Sequence, residues 1–85
     1  MNNRRLFLRL LSGRLQNVAF NDLERLAVGF GFSELRTSGS HHIYSHPAVD
    51  ELLNLQPLRG TAKPYQIRQL LQLIERYDLR LEDEA

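Results

Sequence analysis

Two tight turns divide residues 32–55 into three short segments. The close spacing of these turns constrains the fold more than any other feature of the sequence. The first turn is Ser38-Gly39-Ser40, and the second begins at Pro47, which cannot donate a hydrogen bond within a sheet. Connections this short join antiparallel neighbours, because a parallel connection needs a dozen or more residues. The sequence therefore predicts an antiparallel meander of three strands at Phe32–Ser38, His41–His46 and Glu51–Leu55.

Helical patterns flank this meander on both sides. Apolar residues recur at near-helical spacing in Arg4–Leu11, and Asn21 resembles an N-cap because Glu24 follows three residues later, as in a capping box. Pro64 suits the first turn of a last helix. One apolar stripe predicts the buried face of that helix: Ile67, Leu70, Leu71, Ile74 and Tyr77. Helices before and after such a sheet predict a two-layer α+β domain with the helices on one face.

Length and composition exclude several classes of protein. The chain has 85 residues, enough for one hydrophobic core. It contains no cysteine, which excludes disulfides, thiolate metal sites and a cysteine nucleophile. No segment approaches the roughly 18 apolar residues of a membrane span, and we expect a cytoplasmic protein. The segment Gln56–Lys63, which contains Pro57 and Gly60, is predicted to be a loop.

Charge is distributed unevenly along the chain. Residues 1–20 contain four arginines and no acidic residue, whereas residues 78–85 contain four acidic residues and one arginine. We therefore divide the chain into a basic N-terminal helical extension (1–20), a domain (21–77) and an acidic C-terminal tail (78–85). The ends are either solvated termini or, for the basic end, a surface for phosphate groups.

All three histidines lie in the second predicted strand. Strand side chains alternate between faces, and Ile43 is expected to point toward the helices, which would place His42, Tyr44 and His46 on the open face. His41 would then lie on the inner face, at the rim where Gly39 lets the backbone bend. His42 and His46 would be roughly 13 Å apart, too far to share one metal ion, so no metal site is predicted.

A histidine can exchange a proton near neutral pH, which suits chemistry on RNA. RNA carries its own nucleophile, the 2′-hydroxyl, so one imidazole and nearby cations are sufficient and no cofactor is required. Two other interpretations stay open. The histidines lie on an ordinary polar strand face, or the basic residues and tyrosines bind RNA through phosphate contacts and stacking without cleaving it.

The motif Gly39-Ser40-His41-His42-Ile43-Tyr44, followed by His46-Pro47, resembles the signature of HicA (YcfA-like) toxins. The order of the surrounding elements is also similar: Arg36 precedes the motif and Lys63-Pro64 opens the last helix. The first twenty residues extend beyond the family domain, and Tyr65 stands where small residues are frequent.

This resemblance implies a fold similar to a double-stranded-RNA-binding domain and the activity of a messenger-RNA endonuclease. It implies catalysis by His41, with His42 as the fallback, and neutralisation by a HicB-like antitoxin. A non-catalytic RNA-binding module and a protein-interaction domain are the alternatives. Gly39 is expected to form the turn, and Tyr44 and Tyr65 have packing as their alternative role. The expected RNA-binding residues are Arg36, Ser40, Tyr44, Lys63, Tyr65 and Arg68.

Overall fold

Three helices and five strands form the part of the chain that the computed structural model describes, residues 2–82. Asp83 and Glu84 of the predicted acidic tail lie outside the described residues. The elements in chain order are α1 (Asn3–Leu11), α2 (Phe20–Gly29), β1 (Ser33–Ser38), β2 (His41–His46), β3 (Val49–Leu55), β4 (Pro57–Leu58), β5 (Thr61–Ala62) and α3 (Pro64–Arg76).

The predicted meander is confirmed as an antiparallel sheet in the order β1-β2-β3. One side of this sheet packs against the helices, which gives the α+β architecture that the sequence predicts. Leu53 and Leu55 of β3 are completely buried in the same hydrophobic core as Leu6 and Leu10 of α1. The N-terminal helix is therefore part of the core. None of the helices in residues 2–82 has the length and apolar character to cross a membrane.

The predicted loop at residues 56–63 contains a second, two-stranded sheet that the sequence analysis missed. Its strands, β4 and β5, have two residues each, which is too short for an alternating pattern. The chain before α2 extends this pairing, because Ala62 N–H donates to the Val18 carbonyl at 2.8 Å and Ala19 forms a bridge with Thr61.

The predicted N-cap of α2 at Asn21 is wrong. The helix begins at Phe20, its N-cap is Ala19, and no side chain caps it. The cause is tertiary: Phe20 N–H donates to the Gly60 carbonyl at 2.9 Å, so the second sheet fixes where the helix starts. Glu24, expected in a capping box, instead accepts a hydrogen bond from Tyr44 on the main sheet.

Candidate functional site

The two faces of β2 are the reverse of the sequence prediction. Tyr44 is only 2% exposed and belongs to the core, and its cross-strand partner is the buried Leu53. His42 shares this inner face, with its ring 5.2 Å from the ring of Phe20 in α2. Ile43 is not part of the core cluster and lies on the opposite, open face beside Asn54, where neighbouring side chains leave it only 9% exposed. The prediction that Tyr44 and His42 stand on the open face is therefore wrong.

His41 is exposed and lies on the open face rather than the inner one. Its Nδ1 atom is 3.2 Å from Oδ1 of Asn54 in β3. An amide oxygen can only accept, so Nδ1 is the donor in this contact and Nε2 keeps its lone pair when the ring is neutral. Among the described residues Nε2 has no hydrogen-bond partner. The ring is thus oriented through one nitrogen and available to a ligand through the other.

Gly39 positions His41 through the turn between β1 and β2. Its φ is +60°, a value suited to the first loop position of a type II′ hairpin turn, which favours glycine. A Cβ atom at Gly39 would meet nothing within 4 Å, so the requirement is one of backbone conformation and not of space. This turn pairs Ser38 with His41 and places His41 at the first position of β2.

A chain of hydrogen bonds connects the Gly-Ser turn to the start of α3. The Gln56 amide donates to the Ser40 hydroxyl at 3.0 Å and accepts from the Lys63 ammonium at 3.0 Å. Gln66, which is 4% exposed, accepts from the Gln56 N–H at 2.9 Å and donates to the Tyr65 hydroxyl at 3.3 Å. This chain therefore connects three predicted RNA-binding residues, Ser40, Lys63 and Tyr65, and Ser40 directly precedes His41 in the sequence.

His42 belongs to a different cluster, on the inner face. Its Nδ1 lies 3.0 Å from Oε2 of Glu34 and 3.3 Å from Oε2 of Glu24. The Tyr44 hydroxyl donates to the same Glu24 oxygen at 2.6 Å. The ligand atoms of His42 and the two glutamates lie within 4.8 Å of one another, so this trio could hold a metal ion. The same distances are also typical of hydrogen bonds. The three side chains therefore have a structural role as well, because their hydrogen bonds hold α2 against the sheet.

The electrostatics of this cluster affect two of its members. The hydrogen bond from Thr37, and then that from His42, lowers the pKa of the Glu34 carboxyl. Burial, together with the hydrogen bond to Glu24, raises the pKa of the Tyr44 phenol. Both shifts favour the protonation states in which Glu34 is charged and Tyr44 is neutral at pH 7.

His46, the third histidine, is held by backbone contacts at the far end of β2. Its Nε2 is 3.0 Å from the Phe30 carbonyl oxygen, and its Nδ1 accepts from the Ala48 N–H at 3.0 Å. Its ring meets that of Phe32 edge to face at 5.1 Å. A Cβ atom at Gly31 would come within 2.7 Å of the His46 ring. His46 therefore has a packing role and does not share a site with the other two histidines.

The remaining predicted RNA-binding residues lie apart from one another. Arg36 is exposed and pairs across β1 and β2 with Ile43, in the same row as Asn54 on the open face. Arg68 is exposed on α3, three residues after Tyr65, and faces α1. The burial of Tyr44 is incompatible with base stacking, so its assignment as an RNA contact is corrected to the packing role.

Sequence reasoning missed the amides that organise the site. Asn54 interrupts the buried pair Leu53 and Leu55, and that alternation marks it as a residue of the open face. Gln56 and Gln66 carry no comparable signal, because glutamine is common at surface positions and their contacts depend on how α3 docks against the end of β3.

The sequence of this chain matches the model of a known protein family. The model of a family described as the HicA toxin of bacterial toxin–antitoxin systems matches residues 20–75, from the start of α2 into the last turn of α3. No curated protein and no solved structure matches the chain significantly. The matched region includes the Gly-Ser-His turn, the whole main sheet and the Lys63–Pro64 helix start. The match extends over well more than half of the 85 residues, and the chain belongs to the HicA toxin family.

Proposed function

We propose that this protein is a toxin-type endonuclease that cleaves messenger RNA, with His41 as the general base. Membership of the HicA family supports a toxin function and implies a cognate antitoxin. The observation that carries the proposal is the His41 ring, which is exposed and oriented through Nδ1 by Asn54 while Nε2 is available. That arrangement is what a general base needs in order to take a proton from a bound substrate.

The reaction uses groups that the RNA and His41 supply. Nε2 removes the proton from a 2′-hydroxyl, the 2′-oxygen bonds to the adjacent phosphorus, and the P–O5′ bond breaks. The imidazolium or water returns a proton to the 5′-oxygen, so the products are a 2′,3′-cyclic phosphate end and a 5′-hydroxyl end. A metal ion is not required by this chemistry, because the nucleophile and the proton acceptor are both already in place.

Lys63 is the cation that the hydrogen-bonded chain from Ser40 positions, and we assign it to stabilise the charge that develops on the phosphate. Its ammonium is partly buried and is directed by Gln56, which also holds Ser40 next to His41. A positioned cation in a partly desolvated site stabilises a developing anion more strongly than a mobile surface lysine does. Tyr65, 58% exposed at the start of α3, offers a ring on which a base can stack.

The cognate antitoxin, of the HicB-like kind, is proposed to cover this open face. Leu52 of β3 shares the face with Asn54 and is 47% exposed, and Leu35 of β1 is 54% exposed. Apolar side chains on both outer strands give a protein partner contacts that RNA does not require. Binding there would block access to His41.

The direct test compares RNA cleavage by the wild type and by His41→Ala in the presence of EDTA. We expect the wild type to cleave and the variant to lose activity while its circular dichroism and melting temperature stay unchanged. Expression of the variant should also relieve growth arrest. Equal cleavage by both proteins would reject His41 as the base. Salt-sensitive RNA binding without cleavage by the wild type would support the non-catalytic alternative, and antitoxin binding without any effect on RNA would support a protein-interaction domain.

A further inference from the structure

A second basic feature lies outside the site just described, where α1 and the loop after it meet α3. It is an open groove of about 1100 Å³ lined by four arginines, Arg5, Arg9, Arg14 and Arg68, together with Leu8 and Leu15. Of the residues that the structure describes, no acidic one lines it. Three of the arginines precede residue 20 and therefore lie outside the region that the family model matches.

The arginines of the groove are not neutralised by any part of the chain that the structure describes. In residues 2–82 no carboxylate forms a salt bridge with any of the four. Two of them are instead oriented by uncharged groups: Arg9 donates to the Gln16 carbonyl, and Arg14 donates to the Ser12 hydroxyl at 3.2 Å. A guanidinium has five N–H donors, so each keeps most of its donors for a ligand. Four unpaired cations around one concavity favour a ligand that carries several negative charges.

The size and lining of the groove indicate the kind of anion. Its volume slightly exceeds the range for pockets that hold small molecules, roughly 300–1,000 Å³, and it is open at the surface, which suits a segment of a longer chain. Leu8 is 55% exposed, so the groove also offers apolar surface. Arginines interspersed with apolar side chains suit a polynucleotide, which alternates phosphates with sugars and bases.

Helix α3 connects the groove to the candidate site. Tyr65 and Arg68 are three residues apart and are neighbours on the helix surface, with Cβ atoms about 5–6 Å apart. Tyr65 belongs to the hydrogen-bonded chain that reaches Lys63 and Ser40, whereas Arg68 lines the groove. One strand of RNA can therefore pass from His41 over the start of α3 and into the groove.

We infer that the arginine groove binds the phosphate backbone of the RNA strand whose neighbouring nucleotides lie at His41. The inference rests on the proposed RNA substrate. The groove is an affinity site and takes no part in the chemistry. It would extend the contact with RNA beyond the family domain by means of the N-terminal helix.

The test measures binding of a short fluorescein-labelled single-stranded RNA by anisotropy over a series of salt concentrations. All proteins carry His41→Ala, so that cleavage does not interfere. The groove variant is Arg5→Gln/Arg14→Gln, and the matched control is Arg59→Gln/Arg80→Gln, which removes the same charge from exposed positions elsewhere. We expect the groove variant to bind about tenfold more weakly and its slope of log K against log salt to fall by about 1.4, for two lost phosphate contacts. The control should keep the slope of the parent.

Arg68→Gln provides a second variant that leaves α1 untouched, and it should reduce the slope by about 0.7. Circular dichroism checks that each variant retains its helices. Binding of the groove variants equal to that of the control would overturn the inference, as would a loss confined to antitoxin binding. Cleavage by the His41→Ala parent would contradict the proposed catalytic role but not the groove. A groove that does not affect RNA affinity, in a protein whose wild type cleaves, would contradict the groove alone.

Discussion

His41 and His42 are adjacent on one strand, yet they occupy two different environments. His41 lies on the open face, exposed, with one amide partner in Asn54. His42 lies on the inner face, where its ring lies near Phe20 and its Nδ1 meets the carboxylates of Glu24 and Glu34. The histidine-rich motif therefore does not act as one unit, because the environment of each side chain decides its role. One histidine is available to a ligand and the other ties the sheet to a helix.

The largest expected effect is that alanine at the two histidines impairs different properties, RNA cleavage for His41 and thermal stability for His42. We expect His41→Ala to reduce RNA cleavage by about 10²–10⁴-fold, the usual contribution of a general base, and to change stability by less than about 0.5 kcal/mol. We expect His42→Ala to lower the melting temperature and to retain cleavage at temperatures where the variant is folded. Cleavage assays and thermal denaturation of both variants check this, and the opposite assignment would make His42 the base.

The next largest effect is a difference in the free energy of unfolding between variants of a buried and an exposed tyrosine. Tyr44→Phe removes the donor to Glu24 from a side chain that is 2% exposed, and we expect it to reduce the free energy of unfolding by about 1–3 kcal/mol. Tyr65→Phe, at an exposed position where water can replace the hydroxyl that accepts the 3.3 Å hydrogen bond from Gln66, should reduce it by less than about 1 kcal/mol. Urea denaturation of both variants gives the comparison, and equal effects would contradict the assignment of faces.

Tyr44→Phe should also change how the stability of the protein depends on pH in the alkaline range. Because the pKa of Tyr44 is raised in the folded protein, its contribution to stability is complete below the unfolded value of 10.0 and is lost as the pH rises above it. The wild type should therefore lose stability above pH 10 more steeply than Tyr44→Phe. Melting temperatures across that range test the sign, and parallel curves would show that Tyr44 does not titrate differently on folding.

A smaller effect probes how Asn54 positions His41. Asn54→Ala should slow cleavage by about tenfold, because the ring loses the hydrogen bond that orients it, within the range of one such interaction. Asn54→Asp keeps an oxygen acceptor beside Nδ1 and should restore most of the rate that Asn54→Ala loses. Equal rates for Asn54→Ala and the wild type would indicate that the contact is structural only.

The smallest effect concerns the carboxylate beside His42. The pKa of Glu34 is lowered in the folded protein, so its contribution to stability is present above the unfolded value of 4.5 and is lost as the pH falls through the folded value. Glu34→Gln removes this titration. The difference in melting temperature between the wild type and Glu34→Gln should therefore be greatest near neutral pH and shrink in acid. A difference that grows as the pH falls would contradict the direction of the shift.

The strands and helices could be predicted from local signals wherever one signal extended over several residues. The strand His41–His46 has the predicted bounds, and α3 begins at Pro64 as expected, because a turn glycine and a proline define each boundary locally. The start of α2 could not be predicted, since it depends on a hydrogen bond between residues 40 apart, Phe20 to Gly60. The hairpin β4–β5 could not be predicted because its strands have only two residues each. Gly39 and His41 could be singled out as candidates from the motif, and alternation along β3 could have placed Asn54 on the open face. Gln56 and Gln66 carried no such signal.

By itself, the sequence determined the order of elements, the antiparallel meander and the resemblance to the family that the chain belongs to. Only the tertiary structure decided which face of β2 is open. In isolation, Ile43 is the only aliphatic residue of that strand and is expected inside. The register with β3 instead sets Tyr44 opposite the buried Leu53, and the phenol can be buried because Glu24 accepts its hydrogen bond. The side chains of a strand alternate between its two faces, and either face can be the buried one. Which face is buried depends on the neighbouring elements against which the strand packs.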